Sequence, residues 1–528
     1  MNILGILKAL AGETGASGLA SVFCAAFRTV GRVIAVFPYA LVLTLGCVGS
    51  SNSIAAISPL EIIQPRAGLD TNNRFYRAYP GLVYNVQIAA IGGTYPNTYR
   101  LDSGPTGMSI NSTTGELSWA SPTESGSPHA VRVTVTDSAG ATASVSWPIT
   151  VTTQGFRFID AVNGRSVANG GTGTLANPWR SIADWYISKY DSSYRGTFLY
   201  FRTGTYRTAE APIEDGYRLA LPGNKPMVWL AYPGEKPVID VTSSHVAPYG
   251  GGCSNLYFEG LEIRNFTTNF GVRIDSNADN VTFRKNTFAN LPSGYGGSGT
   301  NASGLMISNG GGVGNYFAIV ENTFRDMYGQ GYGVLGYWTN KVLVQGNTAT
   351  NFNVSDSKAI GPKTNNSYWF IRDNRINVSQ GQGIWVDTYS YTANIEIAYN
   401  LVRASNDAAL WIGQEPATYG RFEMYRNTFI GGDIKISNLS TSSGPVSFLN
   451  DVVVTTSGGT MDTADSSAAA SRMTQSGLLA GSSSAGIVDA SGNLTTAYQS
   501  YLGQKGYQRS GSTTASPPPP PINLTVQP

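Results

Sequence analysis

Between residues 281 and 451 apolar and polar positions alternate in short bursts that return at near-constant spacing. The unit is apolar-x-apolar-x-x-Asn-x-apolar. It occurs at Val281/Phe283/Asn286/Phe288, Phe317/Ile319/Asn322/Phe324, Val342/Val344/Asn347/Ala349, Trp369/Ile371/Asn374/Ile376, Ile395/Ile397/Asn400/Val402 and Phe422/Met424/Asn427/Phe429. A weaker copy, Val446/Phe448, carries Asp451 at the Asn position. Successive ladder positions are 36, 25, 27, 26, 27 and 24 residues apart. Alternation with period two is that of a strand, and a strand unit recurring at this interval predicts the stacked coils of a solenoid. Coils stack about 4.8 Å apart, a spacing at which side-chain amides bond one another. The asparagines are therefore expected to form an internal structural ladder.

Each coil holds a second strand, with apolar pairs at Val272/Ile274, Leu305/Ile307, Val334/Gly336, Ile360/Pro362, Ile384/Val386, Leu410/Ile412 and Ile434/Ile436. The residues between and after each pair point outward. They form two columns: Arg273, Met306, Leu335, Gly361, Trp385, Trp411, Lys435, and then Asp275, Ser308, Tyr337, Lys363, Asp387, Gly413, Ser437. Tyr337, Lys363, Trp385, Asp387 and Trp411 are thus expected to share an exposed patch with Glu415 at its edge. Flat rings among polar groups suit sugar rings. Loops folded over the rings as a satellite core are the competing reading. The outward positions of the Asn-bearing strand, Arg284, Lys285, Glu321, Arg372, Asp373 and Arg426, alternate in sign and read as a solvated face of weak ion pairs.

Residues 57–153 read as a separate β module. Tyr84–Ile88 and Val131–Thr136 alternate, and Asp137-Ser-Ala-Gly140 is a hairpin turn before Ala143–Val151. At Gly155 the pattern changes to one strand, a Gly-rich turn and a helix whose apolar face is Ile182, Trp185 and Tyr186. Such a helix would close the open end of a solenoid. The solenoid is expected over 155–510, and Pro517 to Pro521 make a stiff linker in a tail at 511–528.

The module's Tyr99–Met108 segment and its Thr114-Gly-Glu-Leu-Ser-Trp119 phrase resemble the immunoglobulin-like or cadherin-like domains of bacterial surface proteins, which implies a spacer or weak binding module. The helix-capped start and Tyr232-Pro-Gly-Glu-Lys-Pro-Val-Ile239 resemble the right-handed parallel β-helix proteins, a superfamily that includes pectate, alginate and chondroitin lyases. The fold class implied is all-β, an N-terminal immunoglobulin-like β-sandwich followed by a right-handed parallel β-helix.

Composition narrows the partners. The chain carries 35 Lys+Arg against 33 Asp+Glu, with no basic stripe, so nucleic acid is not expected. Two histidines, His129 and His245, and three scattered cysteines give no transition-metal cluster. No cofactor is expected; a calcium site using Asp356 or Asp387 stays open beside that reading, without ligand spacing to support it. Arg28 and Arg32 precede an apolar run, residues 33–47, that ends on small residues, the form of a secretory signal within residues 1–50. Leu43-Thr-Leu-Gly-Cys47 resembles a bacterial lipoprotein box with Thr44 in place of leucine, which implies acylation of Cys47; plain cleavage stays open beside it, and Pro38 argues against a spanning anchor. A secreted or surface-anchored bacterial protein is expected, touching the membrane only through this segment.

Ala359-Ile-Gly-Pro-Lys363-Thr-Asn-Asn-Ser-Tyr368 resembles the segment of alginate and chondroitin lyases that supplies a catalytic lysine, at Lys363. The arginine those lyases take from the next coil is Asp387 here. The longer run from Lys363 to Glu415 is similar to the right-handed β-helix repeat proteins. Two reactions can be written on an extracellular polysaccharide. In β-elimination, Lys363 would act as base if burial or a neighbouring cation such as Lys358 lowered its pKa. In hydrolysis, Asp387 and Glu415 would be the carboxylate pair. Tyr337, Trp385 and Trp411 would bind the sugar. A non-catalytic adhesin using the same groove is the alternative.

Overall fold

The computed structural model describes residues 56–507, with breaks at 67–72, 189–197, 212–217, 223–226, 250–253, 275–277, 298, 308–311, 388–390, 414–419, 438–443, 456–472, 483–484 and 502–503. Cys47 and the apolar run before it, Cys253, Glu415 and the Pro517–Pro521 tail lie outside the described residues. The described residues form one compact unit. Its first part is an all-β, immunoglobulin-like module of three small sheets. Strands His129–Thr136 and Thr142–Val151 pair antiparallel around the expected turn. Asp137 shapes that turn by accepting the N–H groups of Ala139 and Ala141 at 3.0 and 2.7 Å, while Gly140 takes a left-handed φ of 91°.

From Phe156 onward the chain winds as a parallel β-helix. One side is a 12-stranded sheet running from Phe156–Ile159 to Met473–Ser476; the rest belongs to an 18-stranded sheet that turns a corner. Each full coil therefore has three strands. One coil, for instance, runs Gly314–Val320, Thr323–Met327 and Tyr332–Tyr337. The two-strand coil expected from the sequence is corrected: the residue after each Asn opens a middle strand, and the apolar residue of the repeat is its second member. Like residues stack inside, with Phe258 on Phe283 at 4.9 Å and Phe288 on Phe324 at 5.0 Å between ring centroids. The helix Ile182–Ser188 buries Ile182, Trp185 and Tyr186 over the first coils, as its pattern predicts. At the other end one more coil follows Asp451, and Ile487 and Leu494 pack on Val452 and Val454.

The asparagine ladder runs between the first and middle strands. Asn286 donates its backbone N–H and its Nδ2 to Asn322 Oδ1 at 3.0 and 3.1 Å. The same pair of bonds repeats through Asn322, Asn347, Asn374, Asn400 and Asn427, and ends at Asp451 Oδ1 at 2.7 and 2.9 Å. Each Nδ2 also reaches back to a strand carbonyl, as Asn374 does to Val344 at 2.9 Å. The residue before the Asn is left-handed, even where it is Lys285, Glu321, Asp373 or Arg426. That conformation costs about 1 kcal/mol or more for a residue with a Cβ, and the ladder bonds on either side offset it.

The outer side of the 12-stranded sheet is not solvated. Arg284 and Arg372 are fully buried there, beneath the immunoglobulin-like module. Ile63, Ala89 and Ile91 of the module pack on Ala318, Val320, Leu343 and Phe370 of successive coils. Arg372 pairs with Glu396 at 2.5 Å and donates to the carbonyls of Ala90 and Gly92 at 3.4 and 3.2 Å. Lys341 meets Glu61 at 2.7 Å, Lys285 meets Glu116 at 3.0 Å, and Tyr95 bonds Asp373. So the expected row of weak surface pairs is corrected to an interdomain contact, and the module is a lateral cover rather than a spacer. Removing water from these charges is what makes their partners matter.

Candidate functional site

The third strand of each coil builds the opposite face. Its register aligns Tyr332, Lys358 and Gln382 in one outward column, and Trp385, Trp411 and Lys435 in the next. Gly361 supplies the room: a Cβ there would sit 2.8 Å from the Tyr332 ring, which lies across the strand toward Trp385 at 5.8 Å. Phe270, Met306, Leu335 and Tyr337 complete an aromatic and apolar cluster on the outside of the coil, with Trp338 and Trp411 at its margin.

Lys363 does not lie opposite Tyr337, as a uniform repeat would have it. Gly336 pairs with Pro362 but Tyr337 pairs with Thr364, so Lys363 is the extra residue of a bulge. A bulge redirects the side chain it carries. Lys363 Nζ donates to Asn301 Oδ1 at 3.0 Å, two coils back, and stands 5.7 Å from the Tyr337 ring and 6.0 Å from that of Trp385. Lys358 is buried, pairs with Asp356, donates to its carbonyl at 2.7 Å, and sits 4.9 Å from the Trp385 ring and 5.3 Å from that of Tyr332. Lys435 lies 4.8 Å over Trp411 and 4.0 Å from Asp407. Lysines thus cap the rings, each contact contributing roughly 0.5–2 kcal/mol.

Burial changes the expected picture. Trp385 and Asp387 are each only 2% exposed, Tyr337 is buried, and Trp411 is half-buried with its indole N–H on Ser437 at 3.0 Å. The open aromatic patch is corrected to a satellite core, covered by neighbouring rings and lysine stems rather than left for a ligand. Of the expected site residues, Lys363 and Trp411 reach the surface of the face, while Asp387 is buried just after the strand Gln382–Val386, its N–H on the Pro362 carbonyl at 3.1 Å. Glu415, the other member of the expected carboxylate pair, falls outside the described residues. Burial, with the Tyr337, Asp356 and Asp387 charges, pushes the Tyr332 hydroxyl well above its ordinary value, and burial followed by Asp387 raises Tyr337 likewise. Both hydroxyls stay protonated near neutral pH.

Three residues of this face escaped the sequence reading: Tyr332, Gln382 and Asn301. The first two belong to the column two residues before each apolar pair, Phe270, Ser303, Tyr332, Lys358, Gln382; strict alternation assigns that position to the inward side, and only the packing of Tyr332 with Leu335, Tyr337 and Trp385 places it outside. Gln382 is buried and donates to Asp407 at 3.2 Å, while its Oε1 accepts no hydrogen bond. Asn301 carries no such periodic signal. It lies on an irregular segment before its strand. Among the described residues no group of three His, Cys, Asp or Glu side chains could hold a metal ion, and no helix is long and apolar enough to cross a membrane.

Residues 249–453 match the family model described as Right handed beta helix region, and residues 70–152 match that described as Putative Ig domain. The chain thus carries a right-handed β-helix region behind an immunoglobulin-like one. No curated protein matches it. Among solved structures, the catalytic domain of a GH87 alpha-1,3-glucanase in complex with nigerose is similar at 11% identity and a TM-score of 0.29, over 75% of this chain and 86% of that one. Likeness at that level carries neither substrate nor reaction across.

Proposed function

We propose that this protein is exported to the cell surface and binds an extracellular polysaccharide along the third face of its β-helix. One observation carries the reading: ammonium, amide and ring groups from five successive coils, Asn301, Tyr337, Lys363 and Trp411 among them, gather around one ring cluster on a chain whose charged residues are only 13% of the total. Lysine and amide donors suit hydroxyl and carboxylate oxygens, and rings at the margin suit the C–H side of a sugar. Export rests on the signal-like run before Cys47, and attachment through acylated Cys47 is the finer part of that proposal.

Binding without cleavage is the function favoured. Asp387 is closed off from a surface ligand, so a hydrolytic carboxylate pair is not supported. The one feature that favours a second reading, β-elimination, is the bulge at Lys363, which turns a lysine out of the column. As base, its nitrogen would have to exchange the Asn301 contact for the proton beside a uronate carboxylate. The test is a panel of alginate, polygalacturonate, chondroitin and α-1,3-gluco-oligosaccharides, read by equilibrium binding, by absorbance of unsaturated products and by reducing ends. Binding that falls in Lys363→Ala with no product from any polymer supports the favoured reading. Unsaturated product lost in Lys363→Ala supports elimination, and no binding to any polymer overturns both.

A further inference from the structure

With Tyr332, Tyr337 and Trp385 of the third face buried and Trp411 only partly open, a further stacking platform for a sugar is to be sought where aromatic side chains remain exposed. Two lie at one corner, between the middle and third strands. Tyr295 and Tyr328 are each 40% exposed. Tyr295 is presented by the insert that makes the 36-residue interval, a loop in which Gly294, Gly296, Gly297 and Gly299 all have positive φ. The loop is anchored on both sides. Gly296 N–H donates to Asn269 Oδ1 at 2.9 Å, and Gly296 bridges Gln330 of the following coil. Tyr328 follows the strand Thr323–Met327 and donates its N–H to the Leu291 carbonyl at 2.9 Å, so both tyrosines spring from the same corner.

The polar tip of Tyr328 is held while its ring stays open. Asn351 Nδ2 donates to the Tyr328 hydroxyl at 3.2 Å and to Asp326 Oδ1 at 2.6 Å. A ring fixed at its hydroxyl loses little freedom when a ligand stacks on it. The corner is also continuous with the third face: Gln330 bonds Asp356, which holds Lys358 against Tyr332 and Trp385. Asn301, the partner of Lys363, lies only a few residues beyond the same loop.

We propose that Tyr295 and Tyr328 form an open stacking subsite for a pyranose ring of the bound polysaccharide, with Asp326 and Asn351 beside it for ring hydroxyls. This rests on the binding function proposed above, and extends it from the lysine-bearing face to the corner. Burial of neither ring is needed for the fold, since the loop is held by its backbone contacts. An apolar face against the C–H side of a sugar, framed by an acid and an amide, is chemistry that a lone exposed tyrosine does not provide.

The test uses the full chain and the same four polymers. Tyr295→Ala/Tyr328→Ala is expected to weaken binding at least about fivefold, with an unchanged melting temperature. Tyr391→Ala, exposed on another edge of the β-helix, is expected to leave it unchanged. If the double variant binds as wild type does while Lys363→Ala loses binding, the corner subsite is overturned and the third face stands. If Tyr391→Ala weakens binding and the double variant does not, the platform lies at that other edge and the proposal also fails. If wild type binds none of the polymers, both are overturned.

Discussion

The two outer faces of the β-helix start from the same alternation and end differently. On the 12-stranded sheet, outward arginines and apolar residues are covered by another domain, which brings its own carbonyls and carboxylates to meet them. On the third face, outward rings cover each other and are capped by lysines from the same strands. Pointing away from a coil is a statement about the backbone; facing water is a statement about what lies next. The covered face is joined along its length. Phe156, Tyr200 and Tyr257 share a core with the module at one end, and Tyr95 packs on Tyr399 near the other. Among the described residues, the third face and its corner with the middle strands keep mixed polar and ring groups at their surface.

That contrast breaks most readily at Arg372. Arg372→Ala leaves Glu396 buried without its cation, and is expected to cost about 3–5 kcal/mol in denaturant unfolding. If instead it costs under about 1 kcal/mol, the module is not the cover described. The spine between the faces gives the next effect. Asp451 ends the ladder, and burial raises its carboxyl to about 7. The unfolded chain loses that proton near 3.8 and the folded one only near 7, so between these values the folded state holds more protons. The Asp451 contribution is thus fully present below the unfolded value and fades as pH rises through 7, by up to about 4 kcal/mol. Asp451→Asn supplies the amide the other coils have, and should gain stability relative to wild type at pH 8 and little at pH 4; a gain independent of pH would sink the assignment.

Smaller effects separate the third face from the covered one. Gly361→Ala drives a methyl against the Tyr332 ring and is expected to cost about 1–3 kcal/mol, with altered near-ultraviolet dichroism from Trp385. Lys435→Ala removes a half-exposed cation from Trp411 and Asp407, and should cost no more than about 1 kcal/mol. A loss at Lys435 as large as that at Arg372 would mean that the two faces are not distinct after all.

The sequence made the spine plain and the coverings obscure, for physical reasons. The ladder was legible because each Asn must recur at the coil period to bond the next. The capping helix was legible from three apolar residues on one side. The middle strands were missed because four or five residues, such as Arg375–Val378, are too short to show their own alternation. The buried state of Trp385 follows from Tyr332 lying over Gly361, a contact between coils that no single strand records. The docked module needed Tyr95 to meet Asp373, 278 residues away. Yet one signal was there. Ala318, Val320, Leu343 and Phe370 are outward and apolar in three consecutive coils, and an apolar stripe of that kind asks for a cover.

The most direct test of the binding face is hydrogen–deuterium exchange of the full chain with and without saturating alginate, polygalacturonate, chondroitin or α-1,3-gluco-oligosaccharide, taken in turn. Protection by at least one polymer is expected in Tyr332–Tyr337, Lys358–Thr364 and the loop carrying Tyr295, with the immunoglobulin-like module unchanged. Protection confined to the module, or none with any of the four, would contradict a polysaccharide-binding third face.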